Sequence, residues 1–148
     1  MTTVVFLHAP GESFDSWLEV ADHLPPAWAL AAPHLTQCAS REAIGELIDR
    51  DAHKVSDEPV VLVARGLAVR VAQDFYRTFT HRVESVIAID AEYRPSLRQL
   101  FSLRSEPYFQ AVRTITADIS IDMTVLSPHE VQYPAQTAAA VYRAIAEK

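Results

Sequence analysis

Several side chains that can do chemistry follow directly after apolar runs of this chain. An imidazole and carboxylates can exchange protons in an acid–base reaction, and a serine hydroxyl can act as a nucleophile. A guanidinium beside a helix N-terminus can bind an anion such as a carboxylate or a phosphate. The groups placed in this way are His8, Arg65, Asp90, Glu92, Ser127, His129 and Glu130.

The segment from Val60 to Val69 has the pattern of a buried strand that runs through a sharp turn into a helix. Such a turn exposes one side chain at its tip, where a nucleophile can reach a substrate. The residue at this tip is Gly66, which has no side chain that could attack. Glycine tolerates the strained backbone angles of the turn at low cost. The sequence therefore predicts the turn without the reactive group.

Five apolar stretches are predicted to form the strands that position these groups. The segments between them have helical spacing, which is typical of repeated strand–helix–strand crossovers. Continuous apolar runs such as Val60–Val63 indicate a parallel sheet covered by helices on both faces. The predicted fold class is α/β: one domain, residues 1–148, with a mostly parallel five-stranded sheet of order 2-1-3-4-5 in a three-layer sandwich. The strands are placed near Thr3–Leu7, Trp28–Ala32, Pro59–Ala64, Glu84–Ile89 and Ile121–Leu126.

Capping residues and apolar spacing place the helices between the strands. Ser40, Ser96 and Ser105 are predicted N-caps, and Pro134 precedes the last helix. Ligands of open parallel sheets bind beyond the carboxyl ends of the strands, where the strand order reverses. We therefore expect the polar groups named above to converge there. The other helices are placed over Ser16–Leu24, Leu67–Phe79 and Ala135–Ala146.

Composition and charge exclude several classes of protein. A net charge of −6 with scattered basic residues argues against a nucleic-acid partner. The longest uncharged apolar run, around Leu24–Ala32, contains two prolines and is far shorter than the roughly 20 residues that span a bilayer. A strand at the N-terminus leaves no room for a signal peptide, so a cytoplasmic protein is expected. Cys38 is the single cysteine, the histidines lack ligand spacing, and neither a metal nor a cofactor is expected.

Landmarks from about residue 3 to residue 146 resemble those of the α/β-hydrolase superfamily. Leu7–Gly11 followed by Trp17 is similar to the His-Gly motif and tryptophan after that family's first central strand, and Leu62–Ala68 is similar to its nucleophile elbow. Ala32–Leu35 is similar to the family's Pro-Asp-Leu segment, with His34 in place of the aspartate. Thr80–Asp90 is similar to the family's Pro-x-Arg-Val segment and the strand that follows it. Val125–Glu130, with Pro134, is similar to the segment that carries the family's catalytic acid.

The resemblance implies acyl transfer, which needs a serine, a histidine base, an acid and two backbone N–H donors. Here Gly66 replaces the serine, and the donor expected after His8 falls at Pro10, which has no N–H. Glu130 stands at the acid position, but the family's last core strand and histidine-bearing loop have no counterpart before Lys148. The short stretch between Asp90 and Ile121 leaves no room for a full lid domain.

Two functions agree with these observations. The first is a non-catalytic module that binds a protein partner or a small ligand, with an anionic group expected on such a ligand. The second is a small hydrolase or lyase with a non-standard set of residues, His8, Asp90, Ser127, His129 and Glu130. Loss of several catalytic parts with an intact core pattern favours the first. The expected ligand-binding residues are His8, Pro10, Arg65, Gly66, Leu67 and Asp90.

Structural roles compete with these functional ones. His8 can order its loop, Arg65 can pair with Asp90 or Glu92, and Asp90 can cap a helix or bond to a loop. Residues 127–130 can simply form a loop, because adjacent loop side chains rarely face one another. Without a further strand, Ile121–Leu126 lies at an edge of the sheet, and exposed edges tend to be covered or paired. A homodimer through this edge or the C-terminal helix is therefore expected.

Overall fold

The sheet consists of five parallel strands, as predicted. The computed structural model describes residues 2–115 and 121–147. The strands are β1 (Thr3–Leu7), β2 (Ala29–Ala31), β3 (Val60–Arg65), β4 (Val83–Ile89) and β5 (Thr124–Leu126). Their order is β2-β1-β3-β4-β5, and every neighbouring pair is parallel. The predicted fold class and strand order are therefore confirmed.

Within residues 2–115 and 121–147, α-helices flank the sheet, and short 3-10 turns at Phe14–Trp17, Thr80–Arg82 and Pro128–Glu130 complete the connections. Because successive strand residues point to opposite faces, β1 and β3 each contribute to two cores. The helices are α1 (Leu18–Asp22), α2 (Arg41–Val55), α3 (Ala68–Thr78), α4 (Leu97–Leu103), α5 (Pro107–Arg113) and α6 (Pro134–Ala146). Val5 and Leu62 belong to the core that α2, α3 and α5 cover, whereas Val4 and Val61 belong to the core that α1 and α6 cover.

The helix caps agree with the sequence at two of three predicted positions. The Ser40 hydroxyl accepts a hydrogen bond from the Ala43 N–H at 3.1 Å, and Ser96 forms a capping box with Gln99. The prediction of Ser105 as the N-cap of α5 is wrong, because Glu106 holds that position. Pro107 is the first residue of α5, and the residue before a proline is driven to an extended backbone.

Two strands are shorter than the sequence predicts. β2 covers three residues, and β5 begins at Thr124 rather than at Ile121, because its pairing with β4 starts at Ile87. β5 lies at one end of the strand order, and 61% of the Val125 side chain is exposed. The expected dimer through this edge stays a prediction. None of the helices among residues 2–115 and 121–147 is long and apolar enough to cross a membrane.

Arg82 connects the end of α2 to the start of β4. Its guanidinium is buried and donates hydrogen bonds to the carbonyls of Ser56, Asp57 and Glu58 at 3.2, 2.6 and 3.0 Å. These carbonyls follow the last turn of α2, where the helix leaves acceptors without partners. Arg82, in the Thr80–Arg82 turn, thus provides hydrogen-bond donors for the backbone carbonyls of the segment that leads into β3.

Candidate functional site

A cavity of about 370 Å³ lies beyond the carboxyl ends of β1, β3 and β4. The loop after β1 contributes Pro10 and Glu12, the end of β3 contributes Arg65 and Gly66, and Asp90 follows β4. This is the place where the strand order reverses between β1 and β3, which is where ligands of open parallel sheets bind. The topology therefore positions these side chains around one concave surface.

Helix α4 forms the outer wall of the cavity. Gln99, Ser102 and Leu103 share one face at helical spacing and line the cavity. None of the residues of α4 is buried, and its other face exposes Leu97 by 86% and Phe101 by 64%. Helix α4 is therefore a thin, mostly exposed wall of an open cavity.

The backbone of the strand–turn–helix element is strained at Gly66. Its φ is +58°, in the left-handed region that favours glycine, and its N–H donates to the Ile89 carbonyl at 2.9 Å. A Cβ at this position would lie 3.5 Å from Cδ1 of Tyr93, which is an ordinary van der Waals distance. The turn thus has space for a side chain at its tip, and the tip carries only hydrogen.

The loop after β1 offers few amide donors to the cavity. Pro10 has no N–H, and the Gly11 N–H donates to Oε2 of Glu106 at 2.9 Å. The Glu12 N–H donates to the Ala9 carbonyl at 3.0 Å. Positions 10 to 12 are therefore engaged within the protein or lack a hydrogen, and none of them supplies a free backbone donor.

His8 lies behind the wall of the cavity and does not line it. Its side chain is fully buried, and Nε2 accepts a hydrogen bond from the Leu35 N–H at 3.0 Å. Nδ1 faces the Ala9 carbonyl at 3.1 Å, so a neutral ring with its proton on Nδ1 satisfies both contacts. Burial lowers the pKa of His8, and the nearby His34 adds to this effect, while the bond to Ala9 opposes it. This arrangement corresponds to the loop-ordering role, not to a base that faces the cavity.

Arg65 does not form the ion pair that was considered from the sequence. Its guanidinium carbon lies 4.8 Å from the ring centroid of Trp17, in cation–π geometry. Within the described part of the chain, no hydrogen bond or ion pair joins it to Asp90 or Glu92. Burial raises the pKa of Glu12, and the positive charge of Arg65 lowers it in part. Glu12 and Arg65 therefore interact electrostatically across the cavity without a hydrogen bond or an ion pair between them.

Asp90 has the only positive φ of a non-glycine residue in the described ranges, at +51°. Its N–H donates to the Leu126 carbonyl at 3.2 Å, and its carbonyl accepts from the Tyr93 N–H at 3.1 Å. Its carboxylate has no hydrogen bond or ion pair with any residue that the structure describes, so it caps no helix. Aspartate is among the few residues that adopt this conformation routinely. The backbone thus holds an unpaired carboxylate at the cavity.

Ser127, His129 and Glu130 lie on a separate, exposed turn. The Ser127 N–H donates to Oε2 of Glu130 at 2.8 Å as one half of a capping box, and the Ser127 hydroxyl donates to the same oxygen at 3.2 Å. None of the three lines the cavity, and Glu92 lines a smaller neighbouring pocket instead. The structure therefore does not bring these four residues together with Arg65 and Asp90.

The sequence reasoning missed Glu12 and the residues of α4. Glu12 could have been found from its position just after β1, because the same strand-end argument selected His8 and Asp90. No group of three or more His, Cys, Asp or Glu residues within the described ranges is arranged to hold a metal ion.

Comparison with known proteins gives structural matches only. Neither a family model nor a curated protein sequence matches the chain. MGS-MChE2, an α/β-hydrolase enzyme from a metagenome of lagoon sediments of Mar Chica, Morocco, matches with a TM-score of 0.63 and 12% identity, over 99% of this chain and 91% of that chain. RedJ, solved with a polyethylene glycol molecule in its active site, matches with a TM-score of 0.57 and 12% identity, over 85% of this chain and 67% of that chain.

The thioesterase domain from the curacin biosynthetic pathway matches with a TM-score of 0.51 and 20% identity, over 68% of this chain. The chain has the α/β-hydrolase fold. It spans only 42% of that thioesterase domain and 33% of a lipase from Acinetobacter baumannii AYE. In α/β-hydrolases a strand–turn–helix of this kind is called the nucleophile elbow, and here the word elbow denotes the turn between β3 and α3 with Gly66 at its tip.

Proposed function

We propose that this chain is a non-catalytic α/β-hydrolase-fold module that binds a small polar molecule in the cavity beside Gly66. One observation carries the proposal: the elbow keeps its left-handed backbone and its cavity, while its tip carries no reactive atom. A protein that had lost both the turn and the cavity would have no such place for a ligand. Here the recess is intact and the nucleophile is missing.

The other parts of acyl transfer do not compensate for the missing hydroxyl. Stabilisation of the oxyanion needs backbone donors aimed at the reacting atom, and Pro10, Gly11 and Glu12 provide none to the cavity. No histidine among the described residues lines the cavity, and the His8 ring is engaged by Leu35 and Ala9. The nucleophilic hydroxyl, the donors for the oxyanion from residues 10–12 and the histidine base are therefore not supplied at this cavity by the described residues.

Arg65 and the start of α3 favour a carboxylate on the ligand. Arg65 lines the cavity, and Gly66 and Leu67, just before the eleven-residue helix α3, line it as well. The N–H groups of Gly66, Val69 and Arg70 already donate to backbone carbonyls, so the helix contributes the positive end of its dipole, which attracts negative charge. A carboxylate can accept from a guanidinium in bidentate fashion. This is the basis for the anionic group of the expected ligand.

The test combines ligand binding with a search for turnover. Short carboxylic acids, with and without further polar groups, are screened by thermal unfolding, where saturation at about 100 times Kd stabilises by about 2.7 kcal/mol. The Arg65→Gln variant is expected to lose the shift, and Arg98→Gln, on an exposed part of α4 outside the cavity, is expected to keep it.

Catalysis is tested in parallel with nitrophenyl esters and a fluorophosphonate probe. We expect neither turnover nor labelling. Ester turnover that Ser127→Ala abolishes would overturn the proposal in favour of a hydrolase with a non-standard nucleophile.

A further inference from the structure

The cavity beside Gly66 carries charged groups of both signs that lack partners. Glu12 and Asp90 line it with Arg65, and neither carboxylate forms a hydrogen bond or ion pair within the described part of the chain. Arg65 has the ring of Trp17 beneath it but no carboxylate within 4.0 Å. Glu12, Asp90 and Arg65 are each partly buried, and a ligand in the cavity can supply the charged partners that they lack within the protein.

We infer that the ligand is a small amino-carboxylic acid, with its carboxylate at Arg65 and its ammonium group at Glu12 and Asp90. The inference rests on the proposed binding function and names the ligand class. A simple carboxylate would satisfy Arg65 but would add a third negative charge near two carboxylates. A simple amine would leave Arg65 without an anion. Only a ligand with both groups matches the charges of the cavity.

The backbone at Asp90 and the environment of Glu12 support this assignment. The left-handed backbone at Asp90, which aspartate tolerates, holds this residue at the cavity wall. Burial raises the pKa of Glu12, which means that its charged form is less well solvated in the cavity than it is in water. An ammonium group would remove that deficit, since an opposite charge favours the ionised carboxyl.

The remaining walls combine the polar Gln99 and Ser102 of α4 with a larger group of apolar side chains, which indicates the kind of side chain that a ligand can carry. Pro10, Leu67, Tyr93 and Leu103 line the cavity beside the charged groups. A volume of about 370 Å³ falls at the small end of the range for ligand pockets. The cavity therefore fits an amino acid with an aliphatic side chain, for which leucine is the probe.

Three matched probes test the inference by calorimetric titration of the full chain. They are leucine, 4-methylpentanoate, which lacks the amino group, and 3-methylbutylamine, which lacks the carboxylate. Leucine is expected to bind at least about tenfold more tightly than either of the others, which corresponds to about one charged contact. Equal affinity for leucine and 4-methylpentanoate would overturn the inference and leave the proposed binding function standing.

Two conservative variants locate the contacts. Asp90→Asn keeps a residue that tolerates the left-handed backbone, and Glu12→Gln keeps the side-chain volume, so each removes a charge with little other change. Both are expected to weaken leucine binding by about tenfold and to leave the binding of 4-methylpentanoate equal or tighter. Unchanged leucine affinity in both variants would overturn the inference, as would the absence of binding by all three probes. Ester turnover, by contrast, would overturn the proposed function itself.

Discussion

The carboxylate of Glu106 accepts a hydrogen bond from the backbone N–H of Gly11 at 2.9 Å, across 95 positions of the chain. Glu106 is the N-cap residue of α5, and Gly11 belongs to the loop that lines the cavity. Gly11 has a φ of +87°, and a Cβ there would lie 2.8 Å from Cδ2 of Leu103. Glycine at this position therefore permits both the hydrogen bond and the close approach of α4.

Loss of this hydrogen bond is predicted to destabilise the fold. Glu106→Ala should lower the free energy of unfolding by about 1 kcal/mol, because the Gly11 N–H loses its side-chain acceptor at an exposed position. Glu106→Gln should lose less, since its amide oxygen can still accept and since burial already raises the pKa of the carboxyl and disfavours its charge. Urea unfolding measures both, with Glu46→Ala on the exposed side of α2 as control. An alanine variant as stable as the control would show that the bond does not hold the loop.

A serine restored at the elbow is predicted to fold without becoming active. Gly66→Ser places a side chain at a φ of +58°, which should cost about 1–2 kcal/mol, and the space near Tyr93 admits the Cβ. Gly66→Ala has the same backbone cost and no hydroxyl, so the pair isolates the hydroxyl. Thermal unfolding and ester assays are the measurements. Turnover by the serine variant alone would mean that the cavity holds a working base and working donors.

The buried His8 is predicted to make the protein sensitive to acid. Because burial lowers the pKa of His8 in the fold, the unfolded chain binds a proton more readily below about pH 6.5. The stability that neutral His8 contributes is complete above that pH and decreases as the pH falls through the lowered pKa. The slope is at most about 1.4 kcal/mol per pH unit for one proton.

The matched variant for this effect is His8→Gln, whose side-chain oxygen can accept from the Leu35 N–H in place of Nε2. The difference in unfolding free energy between the wild type and this variant should narrow from pH 7 to pH 5, because all other titrating groups are shared. Parallel stability curves over this range would refute the assignment to His8.

Replacement of Arg82 is predicted to cause the largest loss of stability among these variants. Arg82→Ala leaves the carbonyls of Ser56, Asp57 and Glu58 without their donor, which should cost about 3 kcal/mol or more. Arg113→Ala, at an exposed position, should change stability by no more than about 0.5 kcal/mol. Denaturant midpoints at constant m-value compare the two, and similar midpoints would contradict the role of Arg82.

Much of the fold could be predicted because its sheet is parallel and doubly covered. The apolar run at Val60–Ala64 has no polar face and fits only such a strand, and the turn at Gly66 followed by the stripe of Val71 and Phe75 fixes the helix after it. Strand ends were less predictable. The start of β5 at Thr124 depends on where β4 offers pairing partners, which is a property of the assembled sheet and not of the local sequence.

The candidate site could be predicted in part for the same reason. Arg65, Gly66 and Asp90 follow strand ends, and the topology alone brings them to one cavity. The direction of the His8 side chain could not be predicted, because it depends on the Leu35 N–H, which is distant in sequence. The partial burial of Glu12 likewise arises only when the loop after β1 is packed in the fold. Sequence spacing therefore selects positions, whereas long-range packing decides which side chains face the cavity.

Helix α4 has no buried residue, and only Leu103 is partly buried, which has a consequence for how a molecule enters the cavity. A helix with no buried residue contributes little to the global stability, so its amides should exchange with deuterium through local opening, much faster than those of β3. Local opening of α4 would widen the mouth of the cavity for a larger molecule, and the sheet behind it need not move.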